Sequence, residues 1–132
     1  MEDKSMKTEF YICKKCGKII QVVKGTAAET ICCGEPMKKI IAGTTDAAKE
    51  KHIPVATVSG NRVDVVVGSV EHPMLPEHFI EWIWLETEKG GQMATLQPGQ
   101  APKASFLVAD GDKATAVYAY CNLHSLWMSE IK

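Results

Sequence analysis

The sequence predicts an all-β protein in which a small cysteine-rich module precedes an antiparallel β-sandwich. Four of the five cysteines fall between Cys13 and Cys33. After residue 50, short segments rich in β-branched and aromatic residues alternate with turn signals, which is typical of antiparallel strands. No segment keeps a 3.6-residue apolar period over three turns. We therefore expect a module over residues 1–41, a linker over 42–49 and a sandwich over 50–132.

The N-terminal module is too short to fold on its core alone. Its apolar residues form only two short patches, at residues 10–12 and 19–23. A segment of roughly 40 residues usually needs a staple such as a metal ion. The next segment, Ala-Gly-Thr-Thr-Asp-Ala-Ala-Lys, is small and polar, and we interpret it as a linker.

The sandwich is predicted from six strand-like segments. They cover residues 54–59, 62–68, 79–87, 92–96, 103–108 and 114–120. Gly60-Asn61 is a two-residue hairpin signal between the first two, and Gly90-Gly91 interrupts the chain after the third. Several short strands with such turns between them favour an antiparallel sandwich.

The segment 79–87 alternates along the predicted strand. Ile80, Trp82 and Trp84 share one face, and Ile83 and Leu85 share the other. Since alternation already explains the tryptophans, we interpret them as core residues and not as an electron path.

Composition excludes several classes of protein. Only Arg62 among the fifteen cationic residues is an arginine, the lysines are scattered among sixteen acids, and the net charge is −1, so a nucleic-acid surface is not expected. No apolar run approaches the roughly 20 residues needed to span a bilayer. Charges at Glu2, Asp3, Lys4 and Lys7 leave no signal-peptide core, and we therefore expect a cytoplasmic protein with reduced thiols. An odd number of cysteines also cannot form a complete disulfide framework within one chain.

The first cysteine cluster has the spacing of a metal site. Cys13 and Cys16 form a C-x-x-C-G motif, and the adjacent pair Cys32 and Cys33 follows fifteen residues later. Four thiolates in this pattern suit a tetrahedral zinc or iron site. A thioredoxin-like redox pair or free buried thiols are less favoured, because no βαβ pattern surrounds Cys13. The adjacent pair should distort the tetrahedron, which leans toward iron, and this segment resembles desulforedoxin.

A second set of metal-ligating residues lies after residue 50. Its members, each beside a turn or a strand end, are His52, His72, His78, Cys121 and His124. A lone histidine is more often structural, but C-x-x-H is a chelating spacing, and loops at sandwich edges can bring distant side chains together. Several imidazoles with one thiolate suit iron, copper or zinc, and five ligands favour iron over zinc. A blue-copper site using Met74 or Met128 stays open as an alternative.

The motifs, taken in order, resemble those of desulfoferrodoxins, the two-iron superoxide reductases, over essentially the whole chain. The resemblance rests on the strings CKKCG, ICCGEPM, EKHIPV, GSVEHPM, HFIEWI and YCNLH. It implies a desulforedoxin-like module followed by an immunoglobulin-like β-sandwich.

The resemblance also implies roles for the candidate residues. One mononuclear iron would be bound by the four cysteines of the module. A second would take four equatorial nitrogens from His52, His72, His78 and His124, an axial thiolate from Cys121, and leave its sixth position open. Glu50 and Lys51 would be the catalytic residues beside that position. From the residues alone, Lys51 is better interpreted as a solvated lysine and Glu50 equally well as a surface charge.

The activity implied by the resemblance is reduction of superoxide to hydrogen peroxide by one electron and two protons. A rubredoxin-like electron donor and a homodimer are implied as partners. Two other functions stay open, namely a rubredoxin-like electron carrier without substrate turnover and a zinc-stabilised structural module.

Overall fold

The computed structural model describes residues 7–44 and 47–132, so the charged first six residues and residues 45–46 of the predicted linker lie outside it. The chain divides into two compact units, Met1–Ile41 and Ala42–Lys132. The prediction of an all-β fold is confirmed. No helix in the described part of the chain has the length and apolar character needed to cross a membrane.

The first unit is built from five short strands. They are β1 (Glu9–Ile12), β2 (Ile19–Val22), β3 (Ile31–Cys32), β4 (Glu35–Pro36) and β5 (Lys38–Lys39). They form a three-stranded sheet in the order β2-β1-β5 and a separate β3-β4 pair, and all pairings are antiparallel. Among the described residues, its buried apolar side chains are Phe10, Cys13, Met37 and Ile40. So thin a core agrees with the expectation that the unit needs a staple.

The second unit is a sandwich of two antiparallel sheets. Its elements are α1 (Lys49–His52), β6 (Pro54–Ser59), β7 (Arg62–Val67), β8 (Ile80–Thr87), β9 (Gly91–Thr95), β10 (Lys103–Leu107), β11 (Ala114–Cys121) and β12 (Ser125–Glu130). One sheet has the order β10-β7-β6 and the other β12-β11-β8-β9. The predicted linker contributes to this unit at both ends, because the Gly43 N–H donates to the Leu126 carbonyl and Lys49 begins α1.

The core of the sandwich lies between the two sheets. Alternate residues of the central strands supply it, including Val63, Val65 and Val67 of β7 and Val117 and Cys121 of β11. Cys121 is fully buried at the end of β11. The core strand β11 therefore places one of the predicted ligands, Cys121, at its end.

The six predicted strands are present with their ends shifted by at most one residue, but two details were wrong. β12 was not predicted, because the turn before it, at residues 122–124, has no glycine or proline to mark it, and its first residue, Ser125, has a φ of +66°. Ile80 was assigned to the tryptophan face, yet it packs in the core with Ile83 and Leu85. The reason is a β-bulge in the ladder between β11 and β8. Tyr120 pairs with Trp82, but the next residue, Cys121, pairs with Ile80, so one residue of β8 is left unpaired. The bulge turns Ile80 to the face opposite Trp82.

The tryptophans of β8 lie on the opposite face from Ile83 and Leu85. Trp82 is 9% exposed and stacks on the Tyr120 ring at 5.4 Å with an interplanar angle of 6°, whereas Trp84 is only partly buried. Trp82 is therefore packed as expected of a structural aromatic, but outside the main core between the sheets.

Candidate metal centres

The structure brings the four cysteines of the first unit together. Their sulfurs lie within 4.8 Å of one another, with 3.7 Å between Cys16 Sγ and Cys32 Sγ and 4.0 Å between Cys32 Sγ and Cys33 Sγ. Four sulfurs about 2.3 Å from one ion form a tetrahedron with edges of about 3.8 Å. The spacing of these thiols thus fits a tetrahedral metal site.

Two turns place the sulfurs. Gly17 has φ +84° and donates its N–H to the Cys13 carbonyl at 2.8 Å, which closes the first turn as the C-x-x-C-G motif predicts. Cys33 and Gly34 both have left-handed backbones, with φ values of 52° and 78°, in the turn between β3 and β4. A non-glycine residue in this region is uncommon, and here it belongs to the adjacent cysteine pair.

The charges of the four thiols depend on one another. The backbone N–H of Cys16 is the main cause that lowers the pKa of Cys13 to about 6. The neighbouring Cys13 and Cys16 side chains raise the pKa of Cys32 to about 12, and they also raise that of Cys33. Four thiolates so close together need a cation to balance them, so the chemistry of the donor set fits a metal.

The second cluster brings together all five predicted ligands of the sandwich. The ligand atoms of His52, His72, His78 and Cys121 lie within 4.8 Å of one another. His124 Nδ1 lies 3.1 Å from His52 Nε2 and 3.9 Å from Cys121 Sγ, and His52 Nε2 lies 3.1 Å from His72 Nε2. Two nitrogens bound at right angles, each about 2.1 Å from an ion, would be about 3.0 Å apart.

Three separate segments supply these ligands. His52 is the last residue of α1, His72 and His78 lie between β7 and β8, and Cys121 ends β11 with His124 in the turn that follows. His72, His78, Cys121 and His124 fall at a strand end or in loops, as predicted from the neighbouring prolines and turns, whereas His52 ends a short helix that was not predicted.

Hydrogen bonds fix which ring nitrogen faces the cluster. His52 Nδ1 donates to the Ala48 carbonyl and His72 Nδ1 donates to the Pro73 carbonyl, each at 2.7 Å. Because a carbonyl can only accept, Nδ1 carries the proton in both rings and Nε2 presents its lone pair to the cluster.

Burial keeps these imidazoles neutral. It lowers the pKa of His72 to about 4 and also lowers the pKa values of His52 and His78. His78 Nε2 is buried without a hydrogen-bond partner among the described residues. A buried, neutral nitrogen with no partner is costly unless it binds a cation, so this atom supports a metal at the cluster.

Cys121 is held between two opposing influences. Burial raises the pKa of its thiol, while the backbone N–H groups of Leu123 and His124 lower it. Those two donors favour a thiolate at a place where only a neighbouring cation could balance its charge.

Glu50 and Lys51 are exposed on α1, directly before His52. Burial is the main cause that lowers the pKa values of His52 and His78, and the charge of Lys51 is a smaller one. The Glu50 carbonyl accepts hydrogen bonds from the Val70 N–H at 2.9 Å and the Ser69 hydroxyl at 3.3 Å.

Two residues that support the cluster were not predicted. Gly68 (φ +76°) packs under α1 so closely that a Cβ there would collide with the Glu50 carbonyl and come within 2.7 Å of Lys51 Cα. Trp127 Nε1–H donates to the His124 carbonyl at 2.9 Å, and its ring lies 5.3 Å from that of His52. The sequence signals for Gly68 were a glycine at the end of a run of β-branched residues and its place at the start of the string GSVEHPM, and neither indicated close packing under α1.

Comparison with known proteins identifies the family. The sequence profile of desulfoferrodoxins matches residues 44–130, and that of the desulfoferrodoxin N-terminal domain matches residues 5–40. A desulfoferrodoxin from Clostridium acetobutylicum is 52% identical over 122 residues, which cover 92% of this chain and 94% of the relative.

Solved structures agree with the sequence matches. The superoxide reductase from Treponema pallidum has a TM-score of 0.79 and 38% identity, covering 93% of this chain and 98% of its own. A superoxide reductase from Giardia intestinalis has a TM-score of 0.55 and 38% identity, covering 64% of this chain and 99% of its own. The predicted resemblance and the predicted oxidoreductase class are both confirmed. This chain belongs to the desulfoferrodoxin family.

Proposed function

We propose that the chain reduces superoxide to hydrogen peroxide at an iron centre bound by His52, His72, His78, Cys121 and His124. The observation that carries this proposal is the convergence of four imidazoles and one buried thiol from three separate segments. A mixed set of nitrogens with a single sulfur suits iron better than zinc, which rarely takes more than four such ligands. The superoxide reductases among the relatives support the choice of reaction.

Bound iron would supply the electron and a position for a small anion, so that superoxide, one electron and two protons give hydrogen peroxide. The protein's own residues do the remaining work. The Nδ1 bonds of His52 and His72 hold both rings with Nε2 facing the centre. The N–H groups of Leu123 and His124 stabilise the Cys121 thiolate and moderate its donation.

We assign the attraction of substrate and the closing of the site after product release to two exposed residues of α1, Lys51 and Glu50. The net charge of −1 gives no overall attraction for an anion, so we assign local attraction to the Lys51 ammonium group. The side chains of Glu50 and Lys51 are both exposed to solvent, which can supply the protons of the reaction. We assign to the Glu50 carboxylate the role of closing the site after the product leaves.

We extend the proposal to the rest of the molecule. The first unit would bind a second iron through its four cysteines, and residues 1–41, 42–49 and 50–132 would act as module, linker and catalytic sandwich. A rubredoxin-like donor, a homodimer and a cytoplasmic location complete the proposal. Its support is the family to which the chain belongs and the spacing of the thiols.

A product assay tests the proposed reaction. The reduced, iron-loaded protein is mixed with superoxide, and hydrogen peroxide and dioxygen are both measured. We expect one peroxide for each superoxide consumed and no dioxygen. Peroxide and dioxygen in equal amounts would indicate dismutation instead. A rate no faster than spontaneous dismutation would favour the electron-carrier alternative.

Lys51→Ala is expected to slow the reaction with superoxide about threefold to tenfold at low ionic strength, because a local cation that attracts the anion is lost. The difference should fade with salt, since the screening length falls from about 30 Å at 0.01 M to about 3 Å at 1 M. Pulse radiolysis over a range of salt concentrations measures both rates.

Lys49→Ala is the matched control for this prediction. Lys49 is an exposed lysine on the same helix, and its loss changes the net charge equally, but it is not among the causes of the lowered His52 and His78 pKa values. Equal slowing by both substitutions would reduce the effect to net charge and exclude a specific role for Lys51.

A further inference from the structure

The Asn122 side chain joins the two loops that carry three of the candidate ligands. Its Oδ1 accepts the Phe79 N–H at 2.9 Å, and its Nδ2 donates to the Glu77 carbonyl at 3.0 Å. The Asn122 backbone N–H also donates to the Phe79 carbonyl at 3.2 Å. Asn122 thus makes three hydrogen bonds to the neighbours of His78, one to Glu77 before it and two to Phe79 after it.

His78 sits at the end of a tight turn. The Leu75 N–H donates to the His78 carbonyl at 2.9 Å, and the His78 N–H donates to the Leu75 carbonyl at 3.0 Å. The Glu77 carbonyl belongs to this turn and is the acceptor of the Asn122 amide. The Asn122 side-chain amide therefore holds the turn at Glu77, the residue directly before His78.

His78 depends on this support more than the other histidines do. The rings of His52 and His72 are each oriented by a hydrogen bond from Nδ1, and His124 is two residues from Asn122 with its carbonyl bonded to Trp127. No hydrogen bond from the protein to the His78 ring occurs among the described residues, and its Nε2 is buried without a partner. Apart from edge-on ring contacts with His72 at 4.7 Å and His124 at 5.2 Å, its position depends on the backbone of the turn.

We propose that the Asn122 side chain is a positioning residue that places His78 in the metal centre by binding the Glu77 carbonyl. This inference rests on the proposed function, since it assumes that the cluster binds iron. The competing explanation is that Asn122 only extends the β11–β8 ladder through its two bonds to Phe79. The positioning role depends on the Asn122 Nδ2 donor, whereas the ladder explanation depends on the Oδ1 acceptor and the backbone N–H.

Asn122→Asp separates the two halves. The aspartate keeps an oxygen to accept the Phe79 N–H but loses the N–H donor that faces the Glu77 carbonyl. We expect it to weaken ferrous iron binding at the sandwich site by about 10- to 100-fold, the range typical of outer-shell ligand supports. Anaerobic competition with a chelator, followed through the absorption of that centre, measures the affinity. Wild-type affinity in Asn122→Asp would overturn the proposal.

A double-mutant cycle tests whether Asn122 acts through His78. In a His78→Ala background, adding Asn122→Asp should cause no further loss of iron affinity. A further loss as large as in the wild-type background would show a general structural role and overturn the proposal. Leu107→Ala, which changes an exposed side chain at the end of β10 in the same unit, is the control and should bind iron as the wild type does.

The same measurements separate this inference from the proposed function. If His78→Ala binds iron as tightly as the wild type, the proposed centre is wrong and the role of Asn122 falls with it. If His78→Ala weakens binding and Asn122→Asp does not, only the positioning role is overturned. Far-UV circular dichroism confirms that each variant is folded before its affinity is interpreted.

Discussion

Cys121→Ser is expected to abolish the sulfur-to-iron absorption band of the sandwich centre and most of its peroxide-forming activity. The sulfur is fully buried, and backbone N–H groups of Leu123 and His124 favour its thiolate form. A serine hydroxyl of similar size stays protonated there, so the electron donation that a thiolate would give to a bound iron is lost. The loss of activity should exceed the roughly 10- to 100-fold typical of changes outside the ligand set.

Absorption spectroscopy and the product assay check this prediction on the same sample. The absorption of the four-cysteine centre serves as the internal control, since Cys13, Cys16, Cys32 and Cys33 lie in the other unit. A buried hydroxyl in place of the sulfur costs about 1–3 kcal/mol, which lowers the melting temperature without unfolding the sandwich. An unchanged spectrum would remove Cys121 from the ligand set.

The sequence allowed prediction of the ligands because their chemistry is local. C-x-x-C and C-x-x-H place two donors of one ion on a single turn, so spacing alone reveals Cys13 with Cys16 and Cys121 with His124. His52 has no such neighbour. It was assigned through the order of the family motifs, and the structure brings it within 3.1 Å of His72 and His124.

The supporting residues could not be predicted in the same way. Asn122 bonds Glu77 and Phe79 across more than forty residues of sequence, and the close packing of Gly68 beneath Lys51 depends on where α1 lies. Their residue types are compatible with ordinary loops. Only the three-dimensional arrangement distinguishes them from turn residues with no role at the site.

The strands were predictable wherever alternation and turn residues agreed. The prediction failed at Ile80, because a bulge changes the parity of a strand without any change in composition. It also failed at β12, because the turn at residues 122–124 has no glycine or proline and Ser125 begins the strand with a left-handed backbone that sequence rarely signals. Both irregularities, the bulge at Ile80 and the left-handed Ser125, lie close to Cys121. The strand pairing is therefore irregular at the end of β11, where the predicted ligand Cys121 lies.

Cys13→Ser is expected to destroy the four-cysteine centre and loosen the first unit while peroxide formation continues. Among the described residues, this unit buries few apolar side chains, and the ion pairs Lys15–Glu35 and Lys39–Glu9 are both largely exposed, with side-chain exposures between 38% and 57%. Such pairs contribute at most about 1 kcal/mol each. Structural metal sites in small modules contribute on the order of 10 kcal/mol, so loss of one ligand removes much of what keeps the unit folded.

Hydrogen exchange and absorption spectroscopy separate the two expected effects. The Ile40 amide, which donates to the Phe10 carbonyl at 2.8 Å, should exchange at least about tenfold faster, while amides of β7 and β11 stay protected. Lys14→Ser is the matched control, because it changes an exposed side chain of the same turn and leaves every thiol in place. An unchanged absorption spectrum in Cys13→Ser would exclude Cys13 as a ligand. Loss of peroxide formation together with the four-cysteine centre would mean that the two centres are coupled, because nothing in the donor set of the sandwich centre requires a sulfur from the first unit.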